Sequence, residues 1–189
     1  TGPGEWDKRG AGMLADAGSP NLRYLFFAGN VSSGNDSGGG GLCVYNGGSP
    51  MVYSCAFFGN SAYWGGAVKL SAGSSAAFIN VVMAHNMAIN GGGLVAWDSN
   101  ASITHSTIAE NNATSGGGLY LGSGAIVAII NSIVFDNNAT DGPGLKSTGS
   151  FMDTNRTMIQ GGHGDVADAD PLFVDPSRFD FRLRLGSPM

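Results

Sequence analysis

Charge is scarce in this chain: Asp, Glu, Lys and Arg make up 12 % of its 189 residues, about half the share of an ordinary soluble domain. Salt-bridged helices therefore cannot cover its surface. The Lys and Arg residues are nowhere clustered and the formal net charge is −5, which argues against a nucleic-acid partner, because phosphate backbones are bound by grouped cations. Long apolar runs are missing too. None approaches the ~18 residues of a membrane span, and Thr1-Gly2-Pro3-Gly4 has neither the basic nor the apolar segment of an export signal; any such signal is expected to have been removed or to lie upstream. Cysteine is limited to Cys43 and Cys55. A disulfide in an exported protein and two small buried core residues are both compatible with this pair.

Glycine is what the chain has in excess, with 32 residues, more than twice the usual share. Together with abundant Asn, Ser and Thr, it provides a neutral polar surface suited to short strands joined by tight turns. Apolar residues recur throughout, which excludes disorder. The length calls for one domain with one continuous core.

The glycines are periodic. Gly39-Gly40-Gly41-Leu42, Gly65-Gly66-Ala67-Val68, Gly91-Gly92-Gly93-Leu94, Gly116-Gly117-Gly118-Leu119 and Gly142-Pro143-Gly144-Leu145 place an aliphatic anchor every 25 or 26 residues, and Gly10-Ala11-Gly12-Met13 is a weaker copy. A second mark keeps the same phase: Asn30, Asn60, Asn86, Asn111 and Asn137 follow the anchors, preceded by the apolar positions Phe27, Phe57, Met83, Ile108 and Val134. Glycine triplets and β-branched stretches such as Ala125–Ile130 oppose helix and favour strand, and the closely spaced leucines of a leucine-rich repeat are absent. The period thus predicts an all-β solenoid of about six coils, with residues of equal phase stacked about 4.8 Å apart. Leu94 and Leu119 are expected to point inward.

The units 91–115 and 116–140 resemble the repeats of right-handed parallel β-helices of the pectate-lyase-like class. In style they are most similar to the polymorphic outer-membrane protein family of bacterial surface adhesins, whose Gly-Gly-Ala-Ile-like and Phe-x-x-Asn-like marks match Gly65-Gly66-Ala67-Val68 and Phe57-Phe58-Gly59-Asn60. The resemblance covers residues 10 to 160. It implies a right-handed parallel β-helix that is extracellular or at a cell surface, and leaves activity open. The coils are expected within 1–164. The tail, 165–189, is similar to the closing segments of secreted bacterial β-helix proteins; its Phe173, Phe179, Phe181 and Leu183 are expected to pack on or cap the last coil. Trp6 is expected to fold over the first core layer, and the coil ends to be prone to self-association.

Several columns are candidate sites. The asparagines Asn30, Asn60, Asn86, Asn111 and Asn137 read as a structural ladder at a tight bend, where stacked Asn tolerates left-handed backbone and bonds along the stack. Asn80, His105 and Asn131 form a second polar ladder. The residue before each main asparagine gives His85, Glu110 and Asp136 in successive coils, three ionisable groups that suit either acid/base chemistry or a solvated edge. Calcium, common in extracellular β-solenoids, takes carboxylate and carbonyl oxygens; Asp165, Asp168 and Asp170 are candidates for it and equally fit turns. A lyase needs cations close to one another, and Lys69, Lys146, Arg156, Arg178, Arg182 and Arg184 do not share a phase. A hydrolase needs carboxylates and aromatic platforms, for which Asp98, Asp153, Trp97 and Tyr120 add to Glu110 and Asp136. Trp97, Asp98 and Tyr120 are also the residues expected to contact a polysaccharide or cell-surface glycan, though Trp97 equally fits a packed aromatic. These features favour a non-enzymatic extracellular module for adhesion, glycan binding or scaffolding over a carbohydrate-active enzyme.

Overall fold

The computed structural model describes residues 9–35 and 37–189. Trp6 lies outside them. The chain winds into a parallel β-solenoid of about six coils with four walls. The anchor sheet stacks Met13–Asp16, Leu42–Tyr45, Val68–Leu70, Leu94–Ala96, Leu119–Leu121 and Leu145–Ser147. A second sheet stacks Asn21–Arg23, Met51–Tyr53, Ser75–Ile79, Asn100–Thr104, Ile126–Ile130 and Phe151–Asn155. A third contains Phe26–Ala28, Ala56–Phe58, Val82–Ala84, Thr107–Ala109, Ile133–Phe135 and Met158–Ile159, and the fourth Ser61–Trp64, Met87–Asn90, Asn112–Ser115 and Asn138–Asp141. Every neighbouring pair in these walls is parallel, and Val68, Leu94, Leu119 and Leu145 stand in one register.

The period dictates the core. Alternation within each strand sends every second side chain inward, so Leu94 and Leu119, Phe78, Ile103 and Ile129, and Phe57, Met83, Ile108 and Val134 are buried in one continuous cluster. Phe27 and Phe57 stack within it, with ring centroids 4.6 Å apart and planes 3° from parallel.

The glycine corner has two separate requirements. Gly91 has φ +66°, and the first glycine of the other corners is also left-handed, a conformation that costs other residues a Cβ clash. Gly92 is required for closeness instead: a Cβ there would collide with the Gly117 carbonyl of the next coil.

The asparagine ladder is buried from Asn60 to Asn137, with Asn30 half-buried at its end, and its backbone is not left-handed, contrary to the expectation. The residues preceding it are: Gly29, Gly59, His85, Glu110 and Asp136 all have φ between +54° and +64°. The asparagine needs ordinary geometry because its amide holds the turn together. Asn86 Nδ2 donates to Asn111 Oδ1 at 2.9 Å and to the Phe57 carbonyl at 3.0 Å, while Asn111 Oδ1 also accepts the Asn86 backbone N–H at 3.0 Å. After Asn137 the stack ends on Gln160, whose Oε1 accepts the Asn137 N–H at 2.9 Å.

Both cysteines are free and buried, which removes the disulfide reading. Cys55 takes a corner position that Ser106, Ser132 and Thr157 fill in other coils. Its thiol makes a contact of the same kind, accepting the Leu25 N–H at 3.4 Å, while Ser106 Oγ accepts the Val81 N–H at 3.0 Å.

The tail starts against the last coil, where Asp165 accepts the Arg156 and Thr157 N–H groups and the Val166 N–H donates to the Thr157 carbonyl. It then lies along the flank, on the outside of the third sheet. Strands Phe173–Asp175 and Asp180–Leu183 form an antiparallel hairpin, and Phe173 packs with Ala109 and Ile133. The reason is that this part of the sheet is apolar on both faces: Ile133-Val134-Phe135 and Met158-Ile159 carry no polar residue to face water, and strands of that composition need cover on each side.

Candidate functional site

The outer face of the anchor sheet carries a group of aromatic rings, Trp64, Trp97 and Tyr120. Its outward register runs Leu14, Cys43, Lys69, Val95, Tyr120 and Lys146. Trp64 approaches from the end of the fourth-sheet strand and Trp97 from the turn after Leu94–Ala96, and the small Val95 leaves space between them. The result is a groove of about 310 Å³ lined by Tyr45, Trp64, Lys69, Ser71, Val95 and Trp97. The Trp97 and Tyr120 rings lie 8° from parallel with centroids 6.3 Å apart, and Trp64 stands nearly perpendicular to both, at 6.0 and 5.7 Å. Trp97 is 41 % exposed and rests over Gly122, where a Cβ would strike its ring. The Arg9 guanidinium sits 4.1 Å above the Tyr45 ring. At the groove, the Ser71 hydroxyl is buried without a hydrogen-bond partner, an uncommon state for a buried polar atom.

Trp97 and Tyr120 are therefore brought together; of the three residues expected to contact a glycan only Trp97 lines the groove, with Tyr120 stacked beside its ring and Asp98 outside the lining. It occupies the turn at φ +46°, with its side chain against Gly124. Trp64 and Tyr45 were not anticipated. Cys43 lies under this face, and burial pushes its thiol above the ordinary value, only partly offset by the positive charges of Lys69 and Arg9.

The second candidate edge brings His85 Nε2 to 3.2 Å from Glu110 Oε2, without a hydrogen bond aligned on that nitrogen. Asp136 is the next residue of the column and is exposed. His85 and Glu110 hold left-handed backbone without being glycine, a conformation costing roughly 1–3 kcal/mol that clusters at functional sites. The tail limits access here: Phe179 meets His85 edge-on at 5.0 Å and also packs on Phe58 at 4.7 Å.

The ladder Asn80, His105 and Asn131 has left-handed φ values from +49° to +56°, together with Ser54 and Arg156 of the same corner. Asn80 Nδ2 donates to Ser54 Oγ at 2.9 Å, and Asn131 Nδ2 lies 3.1 Å from His105 Nε2.

The aspartates considered for calcium do not converge. Asp165 accepts the Arg156 and Thr157 backbone N–H groups at 2.6 and 2.8 Å, Asp168 that of Gly161, and Asp170 that of Leu172. Among the described residues no three His, Cys, Asp or Glu side chains gather where they could hold a metal ion, and no helix is long and apolar enough to cross a membrane.

Compared with known proteins, the chain matches no family model, no curated protein and no solved structure.

Proposed function

We propose that this chain is an extracellular, non-enzymatic module that binds glycan through the groove on its anchor sheet. The observation that carries the reading is the arrangement of Trp64, Trp97 and Tyr120, two rings nearly parallel and the third at right angles to both. A sugar ring has an apolar C–H face that packs on an aromatic plane and a polar rim that needs hydrogen bonds. The groove has both kinds of lining, with Tyr45, Lys69 and Ser71 as its residues that carry polar groups. A rigid solenoid wall keeps the rings in place, so little ordering is required on binding. The repeat style, similar to secreted β-helix proteins and to polymorphic outer-membrane proteins, supports placing the module outside the cell, in adhesion or scaffolding.

A glycan array probed with the whole chain tests this. Binding to a defined set of glycans, lost in Trp97→Ala and kept in Glu110→Gln, is expected; an array without signal refutes it. The second reading, a polysaccharide hydrolase or lyase working at the His85–Glu110 edge, rests on their 3.2 Å approach. It requires turnover of a polysaccharide that Glu110→Gln abolishes.

A further inference from the structure

A second cleft shares no lining residue with the aromatic groove. It lies between the polar corner ladder and the tail, with a volume of about 550 Å³, inside the ~300–1,000 Å³ range of small-molecule pockets. Its walls come from two unrelated parts of the chain. The third sheet gives Ile133, and the tail gives Val166, Phe181 and Leu183; the polar end is formed by His105, Asn131 and Arg156. The cavity exists because Phe173 holds the hairpin against Ala109 and Ile133 while the strand Asp180–Leu183 passes the projecting corner residues.

Charge decides what such a pocket takes. Arg182 lines it too, but its guanidinium is committed to Asp180, with Nε and Nη2 donating at 2.8 and 2.6 Å. Arg156 differs. Asp165 beside it is occupied by the backbone N–H groups of Arg156 and Thr157, and no carboxylate among the described residues forms an ion pair with the Arg156 guanidinium. A cation at one end of an aliphatic cleft matches an anion with an apolar body. A guanidinium favours a carboxylate in particular, since its paired N–H donors meet both oxygens.

We propose that this cavity is a binding site for a small aliphatic monocarboxylate, the carboxylate on Arg156 with His105 and Asn131 beside it, and the chain between Ile133 and the tail. Octanoate is the probe, titrated into the whole chain at low ionic strength, where an exposed cation is least screened. Methyl NMR is expected to show saturable shifts at Ile133, Val166 and Leu183. Arg156→Gln should weaken binding about tenfold or more, as loss of a charge-assisted pair does, with circular dichroism unchanged. Val166→Trp, which fills the cleft, should abolish it. Octylammonium, with the same apolar body and the opposite charge, should leave those methyls unmoved. The proposal is overturned if octanoate does not saturate, if Arg156→Gln or Val166→Trp binds it as tightly as the parent, or if octylammonium binds equally, which would show apolar adsorption alone.

Discussion

Replacing Asn111 by Ala removes the middle of the buried amide stack. Its Oδ1 accepts the Asn86 backbone N–H at 3.0 Å and Asn86 Nδ2 at 2.9 Å; its Nδ2 donates to the Met83 carbonyl at 2.8 Å and to Asn137 Oδ1 at 3.0 Å. The Asn86 N–H then loses its acceptor in a site closed to water, at about 1–3 kcal/mol, and three further bonds are lost at about 0.5–1.5 kcal/mol each. Water entering the vacated space recovers part of this, leaving an expected loss of about 3–5 kcal/mol, a large share of the ~5–15 kcal/mol that holds a typical domain folded. Urea denaturation followed by circular dichroism measures it. Hydrogen exchange at the Asn86 amide should quicken in parallel. The neighbouring Asn112→Ala, at an exposed position, should stay within about 0.5 kcal/mol of the parent. If Asn111→Ala does the same, the ladder is not holding the coils together and the reasoning fails.

Three other outcomes follow from the packing and titration of named groups. Leu94→Ala should cost about 2–5 kcal/mol, as large-to-small core changes do, because Leu94 is fully buried between Val68 and Leu119; an unchanged melting temperature would mean a wrong register. Cys43, whose thiol burial keeps protonated above the usual range, should resist iodoacetamide at pH 8 in the folded chain and react once urea unfolds it. Asp165 is held below the ordinary carboxylate value of 3.8, first by the Thr157 N–H and also by that of Arg156. Its folded form binds a proton less readily than the unfolded chain, so its contribution is present above that value and lost as pH falls through the lower folded value. Asp165→Asn should therefore flatten the acid limb of stability, as read by hydrogen exchange around Thr157 and Val166.

Periodicity made the coils legible because a solenoid repeats one local problem in each turn: the left-handed corner at Gly91, the close approach at Gly92 and the inward Leu94 recur with one spacing. The asparagine column was equally visible, while the left-handed position next to it was signalled by Gly29 and Gly59, more weakly by His85 and Asp136, and not at all by Glu110. The tail's position was harder to read for a different reason. Its partner is the outward face around Ala109, Ile133 and Phe135, and the run Ile133-Val134-Phe135 does carry a signal: consecutive apolar residues imply a strand buried on both sides. The aromatic groove was half legible. Trp97 and Tyr120 are near in phase, whereas Trp64 precedes its corner glycine and reaches the anchor face only because the chain bends there.

The most direct test of the glycan-binding account is isothermal titration of the soluble oligosaccharide that gives the strongest array signal, against the parent, Trp64→Ala, Trp97→Ala and a Glu110→Gln control. The account predicts saturable binding by the parent and the control, weakened by about 1 kcal/mol or more in each tryptophan variant, in the range of loss of an aromatic platform contact, with melting temperatures of the variants unchanged. Equal affinity in all four proteins would contradict it.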